Sequence, residues 1–462
     1  MNTRWLAGLL VGFILGGAPA GAAEPSPFTL GFSERLRFVT WDYAETLDKQ
    51  AGGEKAYTLQ RTSISLRWLA STEIEVGARL VNESRFDIVP ESISKFNLNE
   101  FFVDNLYLTW QRPGGLPLKL TVGRQDFVLG EGFLIADGTP LDESRSTYFN
   151  ALKLEYVFAT DKTLTAFFVY QQDRDTLLPV IHGQEQALLE HPQSAVGLDY
   201  RMTIGRRSSL DAYILSTART YRSMDVTTRC EVLGSRLVID AWSPFSVTAE
   251  AALEFGQDLR SALPGSVGES EGPADKVRRS AFGGYIHIDY RPEKPLPFPE
   301  VVTLGGIYLS GDNTRTDTRE DWDPVFGRWP KWSESYIYTL KQDRGIAWWT
   351  NTASLYASVT FRLTPRLKAG TTYHHFLAPR YNLKPASDPG SATGSVLESR
   401  GRVRGELFIF KLELSLAKAF TGRLIWETFS PGSFYSFARG TGLSDSAADG
   451  YDFLLFEFLC RF

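Results

Sequence analysis

The sequence predicts an all-β fold, a transmembrane antiparallel β-barrel of about 18 strands with short periplasmic turns and long extracellular loops. Three features predict it: the last residues, the first residues and the lengths of the connections. The final segment, YDFLLFEFLCRF at 451–462, puts Leu454, Phe456, Phe458, Cys460 and Phe462 on even positions and Glu457 and Arg461 on odd ones. Successive strand side chains point to opposite faces, so this strand has one apolar face, and a chain ending inside it reads as the closing strand of a barrel in lipid.

The first residues fit the same compartment. Residues 1–23 carry one early charge at Arg4, an apolar core from Trp5 to Gly16, and the small residues Ala18, Ala20, Ala22 and Ala23 before an expected cut. This pattern predicts a secretory signal peptide over 1–23. Its core is shorter than the roughly 20 residues of a spanning helix, and no cysteine follows it for lipid attachment. The mature chain is expected to start near Ala23 or Glu24 and to form one barrel over 24–462, in the bacterial outer membrane. Composition agrees: formal net charge is −5, yet Phe (31), Tyr (19) and Trp (11) are abundant. A barrel exposes only every second strand residue to lipid, so mean hydropathy stays near neutral while aromatics gather at the interfaces. The alternative for such a profile is a large soluble β-protein carrying a leader. The two cysteines, Cys230 and Cys460, fall at opposite ends of their predicted strands and imply no disulfide frame.

Period-two segments bounded by turn residues give candidate strands near 28–41, 57–69, 72–84, 100–112, 117–126, 148–158, 162–172, 194–203 and 208–218. Nine more lie near 230–241, 245–257, 278–291, 300–310, 349–361, 366–376, 402–416, 421–430 and 451–462. The connections alternate in length. Those after odd strands are long (42–56, 85–99, 127–147, 173–193, 219–229, 258–277, 311–348, 377–401, 431–450), and those after even strands are tight, such as 70–71, 159–161 and 242–244. That asymmetry belongs to outer-membrane barrels, and it puts both termini on the periplasmic side.

Parity then assigns faces. Phe32, Leu36 and Phe38 point to lipid and Arg35 and Arg37 inward; Ile64, Leu66 and Trp68 point to lipid, with Arg61, Ser63, Ser65 and Arg67 inward. The same reading places Arg79, Lys119, Lys153, Lys411 and Arg423 in the lumen, partly matched by Glu73, Glu75, Glu155, Glu250, Glu254, Glu413, Glu427 and Glu457. Arginine or lysine on the lipid face at the midplane costs about 2–4 kcal/mol, which disfavours the reverse assignment. Guanidinium groups grip carboxylates in a bidentate fork, so a lumen rich in arginine favours anions, uronate carboxylates among them. The competing reading is that these charges pair across the lumen and rigidify it. The connection 311–348 gathers Trp322, Phe326, Trp329, Trp332 and Tyr336, with Trp348 and Trp349 at its end. These rings either stack on sugars or pack the loop on itself and belt the outer interface.

Several stretches resemble a known family. LTVGRQDFVLGEGFL at 120–134, followed by Arg145 and FNALKL at 149–154, is similar to the GRQ segment and following loop of alginate-export porins. LSGDNTRTDTREDWDPVFGRWPKW at 309–332, RGELFIFKLEL at 404–414, FSPGSFY at 429–435 and the ending FEFLCRF are similar too. The ending also resembles the C-terminal signal read by the outer-membrane assembly machinery. The resemblance implies an eighteen-strand barrel with an arginine-lined constriction for an anionic polyuronate, Arg124 of the GRQ motif as a constriction arginine, and a periplasmic export partner. Arg402 and Arg404 match an arginine pair of that family before Gly-Glu, but their parity points outward unless Gly401 or Gly405 forms a bulge. One departure is plain. The connection after 417 is very short, where the family's exporter has a long periplasmic plug, so any gate here falls to 127–147 or 311–348.

The expected function is a passive channel for an anionic polymer or small anion, without cofactor or metal. Two alternatives stand: a structural or binding barrel with a closed lumen, and an outer-membrane hydrolase. Against the hydrolase, the five histidines (His182, His191, His287, His374, His375) form no HExxH, no GxSxG occurs, and adjacent His374 and His375 face opposite sides. The acidic excess excludes nucleic acid as a partner, and the chain is expected to be a monomer in outer-membrane lipid.

Overall fold

In the computed structural model of the chain, residues 26–90, 100–136, 146, 148–181, 188–205, 207–259, 276–293, 299–313, 315–327, 332–340, 348–380, 396–397, 401–438 and 446–462 are described. The expected signal peptide and Trp329 lie outside them. Eighteen strands form the wall: β1 (Phe28–Trp41), β2 (Lys55–Leu69), β3 (Ile74–Val89), β4 (Phe101–Gln111), β5 (Leu118–Gln125), β6 (Phe149–Ala159), β7 (Lys162–Gln171), β8 (Gln193–Ile204) and β9 (Ser208–Tyr221). The circuit continues through β10 (Val226–Trp242), β11 (Phe245–Leu259), β12 (Lys276–Tyr290), β13 (Pro299–Leu309), β14 (Thr352–Thr364), β15 (Leu367–Leu377), β16 (Val403–Ala417), β17 (Phe420–Pro431) and β18 (Tyr451–Arg461).

Each strand pairs antiparallel with the next, and β18 returns to β1 through Arg37↔Glu457 and Phe38↔Phe456. The terminal residue locks the seam, with Phe462 and Phe32 exchanging backbone hydrogen bonds of 2.9 and 3.0 Å. Closure leaves no edge, which is what a β-structure in hydrocarbon requires. The predicted strands recur in order. The clearest difference is β3, whose ladder with β2 continues to Ala56↔Val89, five residues past the expected end at 84. The alternation continues there, with Phe86 and Ile88 exposed on the outer face and Arg85 and Asp87 alternating with them.

Alternation follows the lipid. Leu30, Leu36, Ile64, Leu253, Leu304 and Leu355 are exposed on the outer face, whereas their neighbours Arg37, Arg61, Glu254 and Ser354 are buried inside. Aromatic rings girdle the short-turn end, with Phe28 stacked on Trp68 at 5.9 Å, Phe158 on Tyr200 at 6.0 Å and Phe420 on Phe458 at 5.8 Å. Among the described residues no helix is long and apolar enough to cross a membrane, and Cys230 and Cys460 are buried free thiols. Placing a guanidinium in the apolar band by Leu253→Arg should destabilise the folded barrel by about 2–4 kcal/mol, read from urea titration in lipid vesicles. Ser65→Arg, on the inward position between outward Ile64 and Leu66, should cost far less.

Two strands stop short, and loop residues complete their neighbours' ladders. β5 has eight residues, and beyond its end Phe101 and Phe102 of β4 pair with Ile181 and Val180. β13 leaves the top of β12 uncovered, and Arg278 and Arg279 pair in parallel with Thr318 and Arg319. Both repairs satisfy backbone groups that would otherwise stay unpaired.

Candidate functional site: the lumen

Two extracellular connections fold into the bore. After β5 the chain makes a tight loop, with Gly132 N–H bonded to Leu129 O (2.9 Å) and Leu129 N–H to Ile135 O (3.0 Å). Gly130 and Gly132 take φ of 58° and 83°, a left-handed backbone open to glycine at little cost, and between them Glu131 is presented to the lumen. Phe133 stacks on Trp322 at 5.0 Å, and Trp322 lies fully buried over Gly283, where a Cβ would come within 2.6 Å of its ring. Ile135 bridges to Phe326, whose N–H bonds Leu134 O at 3.0 Å. The two loops are therefore one packed body.

The second loop continues to a short helix, α1 (Tyr336–Thr339), seated on the wall by one carboxylate. Glu427 of β17 accepts from Ser333 Oγ (2.7 Å), Glu334 N–H (2.9 Å), Ser335 N–H (3.1 Å) and Ser335 Oγ (2.5 Å). An inward glutamate thereby takes up donors of the helix start. Tyr336 stacks on Phe376 at 4.0 Å, and Tyr338 packs at a tilt against Trp41 at 4.3 Å.

Charges line the wall in clusters. Arg37 bonds Glu457 at 2.5 Å, and Arg423 reaches Glu457 (3.2 Å) and Glu334 (3.5 Å). Beside them, Arg35 and Lys411 have no ion-pair partner among the described residues, and Arg35 stands directly opposite Arg61 across the β1–β2 ladder. Arg61 is committed to Glu83 and, at 3.1 Å, Asp104; Arg79 pairs with Asp104 and Asp126. Lys153 and Lys119 share Glu155 at 3.5 and 3.1 Å. Arg67, half exposed near the turns, approaches Glu75 at 3.7 Å.

Arg124 has its guanidinium held by Val103 O (2.6 Å), Asn150 (3.2 Å) and Asp175 (2.9 Å), 3.8 Å over the Tyr148 ring. Its side chain is 1% exposed. Because β5 ends one residue later, Arg124 leans on Asp175 of the next extracellular connection rather than into open bore. Arg404 occupies a bulge, with Leu377 opposite Val403 and Phe376 opposite Gly405, whose φ is 141°. There it turns onto Asn351 O and Tyr435 Oη, each at 2.9 Å.

A denser cluster was not singled out from sequence. Arg279 bonds Glu254 (3.0 Å), Asp258 (2.6 Å) and Asp321 O (2.8 Å), while Arg219 holds Asp323 at 2.9 Å and Arg319 holds Asp321 at 2.9 Å. Strand acids and loop acids meet here around shared arginines, a contact no single strand's parity reveals.

Between the loops and β12–β14 lies a cavity of about 300 Å³ whose lining includes Glu131, His287, Asp289, Tyr285, Tyr356 and Trp332. Of the aromatics singled out from sequence, Trp332 and Trp349 reach this space and Trp322 packs behind it. The hydrogen bond from His287 holds the loop carboxyl Glu131 below the usual carboxylate range.

Solved structures of the same architecture come from Pseudomonas aeruginosa, the outer membrane protein OprD among them. OpdK, solved with vanillate, has a TM-score of 0.54 at 12% identity over 94% of this chain and 98% of its own. OccK2 (OpdF), in complex with glucuronate, gives 0.52 at 13% over 94% and 98%, and OprD gives 0.50 at 11% over 94% of each chain. At such identities the likeness concerns the fold. No curated protein sequence matches. The Alginate export family does match, over residues 28–448: the chain belongs to that family and is an outer-membrane β-barrel channel rather than an enzyme.

Proposed function

We propose that this channel passes an anionic solute, an acidic polysaccharide such as alginate or a related polyuronate, drawn along an arginine-bearing wall. Arg35 carries the reading. It faces the lumen without an ion-pair partner among the described residues, with Arg37 two residues on and Arg61 directly across the ladder. Like charges set opposite one another across strands are destabilising, and a passing carboxylate relieves that repulsion. Lys411, likewise unpaired, extends the basic stretch past Arg423. Two unit charges at 4 Å attract by about 4 kcal/mol at an effective dielectric of 20, enough to concentrate an anion and weak enough, spread over several sites, to let it go. OpdK and OccK2 share the fold and are described with carboxylates, vanillate and glucuronate. The paired cations Arg79, Arg124 and Lys153 shape the field without offering a free fork. The working form is a monomer in outer-membrane lipid, its mature chain starting near residue 24, fed by a periplasmic export partner.

Reversal potentials in planar bilayers under a salt gradient test this. The wild type should be anion-selective and blocked by soluble polymannuronate, and Arg35→Gln with Lys411→Gln should lower the anion-to-cation permeability ratio several-fold, roughly. A cation-selective wild type indifferent to polyuronate would overturn the reading.

A further inference from the structure

We infer that the cavity between the β5–β6 loop and strands β12–β14 is a sugar-ring subsite that recognises hydroxyl groups, distinct in chemistry from the basic wall. The inference rests on the saccharide half of the proposed function and not on the solute's charge. The cavity, about 300 Å³, is at the lower end of small-ligand pockets and suits a single ring of a chain. Its aromatic walls are braced from behind. Tyr356 lies over Gly305 and stacks on His374 at 4.9 Å, Trp332 packs on the same His374 at 5.0 Å, and Tyr285 runs parallel to His287 at 6.1 Å. Rings already fixed in place lose little entropy when a sugar face covers them.

The polar groups in the same space are spaced for a guest. His287 Nε2 makes a long, shared hydrogen bond of 3.4 Å to both oxygens of Glu131, and His287 Nδ1 lies 3.5 Å from Asp289, which also accepts from Thr303 at 2.7 Å. Trp332 Nε1 is buried without an acceptor among the described residues. Two carboxylates and an imidazole thus face a space walled by rings, Trp332 among them. Vicinal hydroxyls both donate to carboxylates and accept from N–H groups, so a sugar edge satisfies the whole set.

A caged organic cation is the other guest that aromatic rings and carboxylates suggest. Here the acids are already offset: Arg291 sits 2.7 Å from Asp289 and Arg236 3.4 Å from Glu131, with His287 between the two. An anion gains little either, with Glu131 and Asp289 at the wall. Neutral hydroxyls fit best.

The test is calorimetric titration of the full chain, folded in detergent micelles, with maltotriose as neutral probe, choline as cationic probe and trimannuronate as anionic probe. Maltotriose should bind the wild type. Trp332→Ala and Asp289→Asn should each weaken it about tenfold or more, while Leu253→Ala on the lipid face leaves it unchanged. Asp289→Asn keeps the shape of the side chain, and heat-modifiable gel mobility checks that each variant is folded. Choline binding without maltotriose binding would overturn the inference, as would maltotriose affinity unmoved in both cavity variants. The reversal potential reports on the basic wall separately: a cation-selective channel that still holds maltotriose in this cavity retires the anionic reading and leaves the subsite standing.

Discussion

Glu427→Ala is expected to raise single-channel conductance and shorten closed dwell times, because it removes the carboxylate that seats the lumen helix. Glu427 is fully buried and receives two backbone N–H groups and two hydroxyls from residues 333–335. Hydrogen bonds to a charged acceptor contribute about 1.5–3 kcal/mol each, and they do not add fully. With the acceptor gone, Glu334 N–H and the Ser333 hydroxyl face an apolar methyl while Ser335 keeps Ser333 Oγ at 3.2 Å and Tyr451 Oη at 3.1 Å, and undocking α1 toward water becomes the cheaper state. The Tyr336–Phe376 stack at 4.0 Å and the Tyr338–Trp41 contact at 4.3 Å resist, so the open fraction should rise by roughly one to two orders of magnitude rather than saturate. Glu427→Asp, reaching one methylene less far, should fall between. Hydrogen exchange of 333–339 gives the independent reading: unchanged protection together with unchanged conductance would show that the seat lies elsewhere.

That helix also marks where sequence reasoning stops. The wall was legible because lipid imposes one rule on every strand: outward positions such as Ile64, Leu66 and Trp68 must be apolar, so the inward side of Arg61 and Arg67 follows by parity. Connection lengths were legible for a similar reason, since turns need two residues at 418–419 and loops have no upper bound. What parity could not supply is pairing. Glu427 was readable as an inward acid, but its partners Ser333 and Ser335 lie 92 or more residues away on a loop with no period of its own. Arg404 read as outward until the bulge beside Gly405 reversed it. The resemblance implied Arg124 as a constriction arginine, yet the early end of β5 opened a gap that Asp175 fills. The subsite left one local trace, the Gly130-Glu131-Gly132 triplet, whose left-handed glycines present a carboxylate at a loop tip.

The greatest loss of stability is expected at Arg279→Ala. This guanidinium is 1% exposed and spends its fork on Glu254 at 3.0 Å and Asp258 at 2.6 Å, with Asp321 O at 2.8 Å. Removing it leaves buried Glu254 without its cation and leaves Asp258 to Arg319 at 3.6 Å, and loosens the 310–327 loop on β12. Breaking a buried pair by deleting one partner costs about 3–5 kcal/mol, whereas exposed pairs contribute about 0–1 kcal/mol. Arg67→Ala, which removes the half-exposed contact to Glu75, is therefore the matched control and should be near neutral in the same urea titration. Arg279→Lys separates charge from geometry: one ammonium cannot span Glu254, Asp258 and a carbonyl together, so it should recover only part of the loss. Adding Glu254→Gln to Arg279→Ala deletes one stranded charge and should restore stability relative to the single variant. A neutral Arg279→Ala would mean that the packed rings of Phe133, Trp322 and Phe326 hold the loop without the ion network. The double variant decides between the two accounts, because under ring packing alone Glu254→Gln gains nothing.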